Sequence, residues 1–205
     1  MKLYGSPFSP YARKARVLII EKNIKCPFVE EDPWAAGTAI PSMNPLGKVP
    51  VLELAPGNCL FESPQVVHYL DHLDGKPLPP QDAVGYWEAQ RWQALGNGII
   101  DAVIARILES RRPADKQMPE KMQREEGRIA RALKLASEMY DGGEFLVGKK
   151  FSLGDIVMGV ALQYIDIRYP HDWCAAHPEL AKWCTRITAR KSFIDTMPPG
   201  FKRVV

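Results

Sequence analysis

The segment 75–82 contains one glycine and three prolines in eight residues, and it separates two stretches of different pattern. Before it, short apolar runs alternate with one amphipathic helical run, whereas from residue 83 onward the pattern is helical throughout. A helix or a strand cannot continue through a segment so rich in proline and glycine, because these residues interrupt both. We therefore predict two domains, residues 1–74 and 83–205, joined by a linker at 75–82.

The pattern of the first domain predicts a βαβ unit followed by a ββα unit. Leu3-Tyr4 and the run 28–30 favour strands on either side of a helix from Pro10 to Lys22. A hairpin is expected at 51–61 and a helix at 63–73, after an irregular stretch. This order is that of a thioredoxin-like domain. The predicted fold class is therefore α/β plus all-α: a thioredoxin-like N-terminal domain followed by an all-helical bundle domain.

One helix of the second domain has a strong start signal. Ser152 and Asp155 have the spacing of a capping box, in which the two residues bond each other's backbone. The residues that follow, 156–162, are almost wholly apolar, which places this helix in the domain core. We therefore expect Ser152 and Asp155 to be structural rather than catalytic.

Composition excludes several classes of partner. The 27 basic and 24 acidic residues give a net charge of +3, too balanced to indicate nucleic-acid binding. No apolar run reaches the roughly 18 residues of a membrane span, and the first residues lack the apolar core of a signal peptide. The four cysteines have no CxxC spacing, and the His171–His177 run offers too few ligands for zinc. We expect a cytoplasmic protein with no metal, no nucleic acid and no membrane partner.

The start of the first helix is the first candidate site. Ser9 precedes Pro10, the residue type that most often opens a helix, so Ser9 occupies the position of an N-cap. Its hydroxyl and the free N–H groups of the first turn would face one spot that favours an anion, such as a bound thiolate. The same pairing is also that of an ordinary cap, and both interpretations stay open.

Two further segments carry candidate binding residues. Pro50 stands directly before an apolar strand, which favours a cis Val49-Pro50 bond and leaves the Val49 backbone able to pair with an extended peptide. Further on, Ser63 is predicted as an N-cap with Pro64 as the first helical residue. A carboxylate can bind at that helix start, while Glu62 can accept a bond from an ammonium group.

Together these segments resemble the cytosolic glutathione S-transferases, most closely their bacterial transferase-like members. The resemblance rests on Ser9-Pro10-Tyr11, the run 44–50, Glu62-Ser63 and the run 151–156, in this order over nearly the whole chain. It implies a thioredoxin-like domain that binds glutathione as co-substrate, and a helical domain that completes the pocket for a small electrophilic or disulfide substrate. It also implies a homodimer.

The resemblance implies roles for individual residues. Ser9 would stabilise the glutathione thiolate as the catalytic residue. The expected glutathione-binding residues are Ser9, Lys48, Val49, Pro50, Glu62 and Ser63. The expected second-substrate pocket residues are Phe8, Tyr11, Trp34, Ile104, Arg106 and Ile107. Lys48 can equally be a solvated lysine on a turn, and the apolar pocket residues can equally be core.

Two other functions are compatible with these residues. One is a disulfide reductase that uses bound glutathione as its thiol, because a serine at position 9 provides no nucleophilic cysteine of its own. The other is a non-catalytic regulatory or assembly module. Glu62-Ser63 and the Val49-Pro50 turn together favour a working glutathione site over a module.

Overall fold

The computed structural model describes residues 1–201, and all statements about the structure concern these residues. The strands are β1 (Lys2–Gly5), β2 (Phe28–Glu30), β3 (Val51–Ala55) and β4 (Asn58–Phe61). The first helices are α1 (Pro10–Glu21), α2 (Ile40–Met43), α3 (Ser63–His72) and α4 (Ala83–Ser110). The others are α5 (Pro119–Met139), α6 (Leu153–Arg168), α7 (Trp173–Ala176), α8 (Pro178–Thr188) and α9 (Lys191–Asp195).

The four strands form one mixed sheet in the order β2-β1-β3-β4. β1 and β2 are parallel, as the βαβ unit requires, and β3 runs antiparallel to both β1 and β4. This topology confirms the predicted thioredoxin-like domain, and the all-helical second part of the chain confirms the rest of the fold class. The stretch that was expected to be irregular contains one short helix, α2.

The register of the sheet gathers three loops at one edge. Val51, the first residue of β3, pairs with Tyr4 near the end of β1 and with Phe61 at the end of β4. The loop after β1, the turn before β3 and the turn after β4 therefore leave the sheet at the same edge. These loops carry the three candidate segments that were identified from the sequence.

Helix α1 buries more than its apolar residues. Its apolar residues Ala12, Ala15, Val17 and Leu18 are buried, and Ile19 is half-buried. Arg13 and Lys14 are also buried, at 2% and 1% exposure. The Arg13 guanidinium donates to the carbonyl of Phe193 (3.0 Å) and to the hydroxyl of Thr196 (3.4 Å). The C-terminal helix thus packs on α1.

Because α9 packs on α1, the boundary between the two compact units differs from the predicted domain boundary. One compact unit comprises Met1–Leu78 and the segment that begins at Arg190, and the other spans Pro79–Ala189. Glu21 on α1 accepts bonds from the Arg190 guanidinium at 2.9 and 2.7 Å and a further bond from Ser192. Residues 190–201 therefore group with the thioredoxin-like unit, whereas the boundary expected from the sequence counts them with the helical domain of residues 83–205.

In the second unit, α6 is the central helix. Residues 153–165 of α6 are all buried. A Cβ added at Gly96 of α4 would lie 2.9 Å from Val157 Cγ1, so the absence of a side chain allows α4 to approach α6 closely. The predicted capping pair is present, because Asp155 accepts the backbone N–H of Ser152 at 2.8 Å. Among the described helices, none is long and apolar enough to cross a membrane.

Candidate functional site

The first candidate segment starts directly after β1. Ser9 is the N-cap of α1, and its Oγ accepts the backbone N–H of Ala12 at 3.2 Å, so the cap expected from the sequence is present. A Cβ added at Gly5 would lie 2.8 Å from Ala12 Cβ and 3.8 Å from Val49 Cβ. Gly5 therefore permits the helix start and the Val49 segment to lie close together at this edge. A hydroxyl that accepts one bond retains a proton to donate, which leaves Ser9 able to bind a ligand acceptor.

The second segment is held by a buried asparagine. The Asn44 amide donates to the carbonyl of Lys48 at 2.8 Å, and its Oδ1 accepts the N–H of Leu46 at 3.0 Å. The Val49-Pro50 bond that follows is cis, as predicted. This role of Asn44 was not expected from the sequence, although an asparagine directly before a proline is a turn signal. The Lys48 side chain is exposed and the Val49 side chain is half-buried.

The third segment begins one residue earlier than predicted. Glu62, not Ser63, is the N-cap of α3, and Ser63 is its first helical residue. Glu62 has φ 66° and ψ 119°, a region that residues with a Cβ rarely adopt. Such backbone strain is found mainly where a ligand or a catalytic group requires it. The half-buried Glu62 carboxylate and the N–H groups of the first turn of α3 thus lie at the same sheet edge as Ser9.

A buried lysine that was not expected from the sequence lies beside this segment. Lys14 Nζ donates to Ser63 Oγ at 2.9 Å, and it lies 5.3 Å from the centre of the Tyr11 ring. Its spacing in the sequence is the feature that could have indicated burial, because Lys14 precedes the buried Val17 and Leu18 by three and four residues. Residues at these spacings share one face of a helix, which here is the buried face. The side chain that we expected to cap α3 is thus turned toward α1.

Three of the residues expected to contact a second substrate belong to this unit. Phe8 is 42% exposed and Trp34 is 82% exposed, whereas Tyr11 is half-buried. Trp34 lies in the loop after β2. Glu31 holds that loop by accepting the Thr38 hydroxyl at 2.6 Å and the Ala39 N–H at 3.0 Å. The hydrogen bond from Thr38 and, to a smaller extent, that from Ala39 keep the pKa of Glu31 below its usual value.

The other three residues lie on α4, in the second unit. Ile104 and Ile107 are half-buried and one helical turn apart. Arg106 donates to the Glu126 carboxylate at 2.7 Å, and its guanidinium lies 4.0 Å from the centre of the Tyr169 ring. Within its own unit, Arg106 therefore links α4 to α5 and to the end of α6.

The sheet edge offers hydrogen-bond donors for both the carboxylates and the backbone carbonyls of an acidic peptide. The first turns of α1 and α3 provide backbone N–H groups at the positive ends of two helix dipoles. Lys14 adds a buried ammonium beside α3. The backbone at Val49 lies in the turn before β3, where it can pair with an extended chain. Such an edge can bind an extended, anionic peptide and stabilise a thiolate at the start of α1.

No three histidine, cysteine or acidic side chains cluster as metal ligands anywhere in residues 1–201. The four cysteines form no disulfide within the described residues, and burial raises the pKa values of Cys26, Cys59 and Cys174. Raised thiol pKa values lower the fraction of reactive thiolate at neutral pH.

Two family models match the chain. The model described as glutathione S-transferase, N-terminal domain, matches residues 3–78, and the one described as glutathione S-transferase, C-terminal domain, matches residues 119–186. The uncharacterized GST-like protein YibF of Escherichia coli (strain K12) is 35% identical over 202 residues, which cover 97% of this chain and 99% of that protein.

Solved structures agree with this assignment. A glutathione S-transferase from Methylobacillus flagellatus with bound GSH has a TM-score of 0.92 at 37% identity and covers 96% of this chain and 98% of its own. One from Methylobacterium radiotolerans in complex with glutathione sulfonate has a TM-score of 0.89 at 36% identity, with 100% of both chains covered. The chain belongs to the glutathione S-transferase family.

Proposed function

We propose that the protein binds glutathione at the sheet edge of the first unit and activates its thiol for attack on an electrophilic second substrate. The observation that supports the proposal is the strand register, in which the loops that carry Ser9, Val49, Glu62 and Ser63 leave the sheet at one edge. The two bacterial relatives whose structures hold GSH and glutathione sulfonate support the choice of ligand.

Each charged group of glutathione has a proposed partner. Glu62 binds the ammonium of the γ-glutamyl unit, and the start of α3 at Ser63 binds its α-carboxylate. The backbone of Val49, before the cis bond to Pro50, pairs with the cysteinyl unit. Lys48, which is exposed on its turn, binds the glycyl carboxylate as a point charge.

Ser9 has the proposed catalytic role. Its hydroxyl donates a hydrogen bond to the glutathione sulfur, and the N-terminus of α1 adds a favourable field. Each 1.4 kcal/mol of thiolate stabilisation lowers the thiol pKa by about one unit, so these two effects bring a thiol of pKa about 8.5–9 to about 7. The thiol proton is released to solvent, and the thiolate forms a bond to the electrophilic atom of the second substrate while that atom releases its leaving group, for example the halide of an aryl halide. No covalent enzyme intermediate forms.

Replacement of Ser9 by alanine tests this role. We expect Ser9→Ala to raise the pKa of bound glutathione and to leave glutathione affinity nearly unchanged, because the anchoring groups lie on other segments. Ultraviolet titration of the thiolate absorbance in the complex measures that pKa. Ser6→Ala, which removes a hydroxyl from the same loop, is the control and should titrate as the native protein does.

Two results distinguish Ser9 as catalyst from Ser9 as a mere helix cap. A cap alone predicts that Ser9→Ala loses about 1 kcal/mol of stability and titrates identically to the native protein. Identical titration would therefore remove the catalytic role and leave thiol activation to backbone N–H groups. Ser9→Cys should gain mixed-disulfide chemistry and lose conjugation, because a thiol at a helix N-terminus is itself nucleophilic.

The second substrate is to be identified by assay. We propose that Phe8, Tyr11 and Trp34 contact it, on the basis of the exposed rings of Phe8 and Trp34 near the candidate site loops. A panel of aryl halide, peroxide and glutathione mixed-disulfide substrates separates conjugation from disulfide reduction. Turnover of the mixed disulfide alone would replace the transferase proposal by the reductase.

We also propose that the protein is a homodimer, as the resemblance implies. Large apolar side chains exposed near the start of α4 support this, since Val84 and Trp87 are 75% and 69% exposed. Sedimentation at micromolar concentration should give twice the 23.0 kDa mass of one chain. A monomer under these conditions would contradict the proposal.

A further inference from the structure

Lys14 is an unusual residue for the interior of a helical face. It is 1% exposed, and lysine is almost never fully buried unless its ammonium has a hydrogen-bonding partner. Burial of an ammonium costs free energy that a methionine or leucine of similar length would not cost. The position therefore carries a charge where packing alone would favour an apolar side chain.

The charge lies against the start of α3. Lys14 Nζ is 2.9 Å from Ser63 Oγ, and Ser63 is the first helical residue of α3. A helix N-terminus already attracts anions through its free N–H groups and its dipole. The ammonium and the helix start therefore add their positive potentials at one place, where the low dielectric of a buried site strengthens both.

The hydrogen bond also sets the direction of the Ser63 hydroxyl. A lysine ammonium can only donate, so Ser63 Oγ is the acceptor in this bond. The Ser63 hydroxyl hydrogen is therefore available to donate elsewhere. A hydroxyl that accepts a bond from a cation is a stronger donor itself. Lys14 thus prepares Ser63 to donate to an anion at the start of α3.

We infer that Lys14 is a positioning residue for the γ-glutamyl α-carboxylate of glutathione, and that it acts through the hydroxyl of Ser63. This inference rests on the proposed function, which places that carboxylate at the start of α3. It adds a residue outside the three loop segments to the recognition of the ligand. It also explains why the Ser63 side chain points to α1 instead of capping its own helix.

A comparison of two ligands tests the inference. Calorimetry measures the affinity of glutathione and of its analogue in which the γ-glutamyl α-carboxylate is a carboxamide. The native protein should prefer glutathione, because only the carboxylate is an anion. Lys14→Met should bind glutathione about 10- to 100-fold more weakly, the scale of a hydrogen bond to a charged group, and bind the carboxamide nearly as the native protein does.

Ser63→Ala tests whether Lys14 acts through the hydroxyl. It should show the same loss of preference, and the double variant should lose little more, because coupled residues are not additive. Lys22→Met is the matched control. Lys22 is the C-cap of α1 and its side chain is 6% exposed, but it bonds the far end of α3 at Asp71. We expect this control to lose stability and to keep the native ligand preference.

Failure of the inference can be distinguished from failure of the proposed function. Native preference for glutathione in a folded Lys14→Met protein would overturn the inference while the proposed function stands. If the native protein itself binds no glutathione, both the proposed function and the inference fail. Far-ultraviolet circular dichroism establishes folding, and if Lys14→Met does not fold, Lys14→Gln, which keeps a polar side chain without the charge, decides: retained preference overturns the inference, and lost preference supports it.

Discussion

Asp155→Ala is expected to destabilise the protein by about 3–5 kcal/mol, because it leaves several buried donors without an acceptor at roughly 1–2 kcal/mol each. The Asp155 side chain is fully buried and accepts three hydrogen bonds. They come from the N–H of Leu146 (2.9 Å), the N–H of Ser152 (2.8 Å) and the Ser152 hydroxyl (2.7 Å). The carboxylate therefore joins the start of the central helix α6 to the segment before it.

Urea unfolding followed by circular dichroism measures this loss. Asp155→Asn retains one side-chain oxygen as an acceptor, so it should lose less stability than Asp155→Ala. Asp141→Ala is the control for an exposed position, where the carboxylate accepts the N–H of Gly143 at 2.9 Å. Water replaces that lost bond, and we expect a change of about 0.5 kcal/mol or less. A loss below about 1 kcal/mol in Asp155→Ala would show that the buried bonds are not required.

Local patterns explain why most of the fold was predictable. The breaks at glycine and proline mark where helices end, and the change of pattern at 75–82 separates the sheet from the helical part. The capping pair at Ser152 and Asp155 was equally visible, since its partners are three residues apart. The packing of α9 on α1 was not predictable from the sequence, because Glu21 and Arg190 are 169 residues apart and each looks like an ordinary surface charge.

In the candidate site, too, some residues were predictable from local sequence and others were not. Ser9 and the Val49-Pro50 turn were predictable because a cap and a proline before a strand have local signatures. Lys14 was not, because a lysine is expected to be exposed unless a partner is known, and its partner Ser63 is 49 residues away. The expected role of Ser63 as an N-cap was wrong for the same reason, since its side chain is engaged by Lys14.

Glu62→Gln is expected to weaken glutathione binding by about 1.5–3 kcal/mol, or roughly 10- to 100-fold, the scale of a charged hydrogen-bonding partner. Glutamine keeps the size of the side chain but not the negative charge that is proposed to bind the γ-glutamyl ammonium. Calorimetry with glutathione measures the change. Glu53→Gln is the control, because Glu53 accepts the Tyr4 hydroxyl at 3.2 Å on β3 and is not assigned to the ligand. Unchanged affinity in folded Glu62→Gln would remove Glu62 from the site.

A glycine at position 62 separates binding from stability. Glu62 has φ 66°, a conformation that is strained for any residue with a Cβ and costs about 1–3 kcal/mol. Glu62→Gly removes the Cβ, so we expect it to unfold at the same or a higher urea concentration than the native protein. It also removes the carboxylate, so glutathione affinity should fall as it does in Glu62→Gln. A protein that gains stability and loses its ligand would show that the strain at Glu62 is retained for binding, because folding alone would favour glycine there.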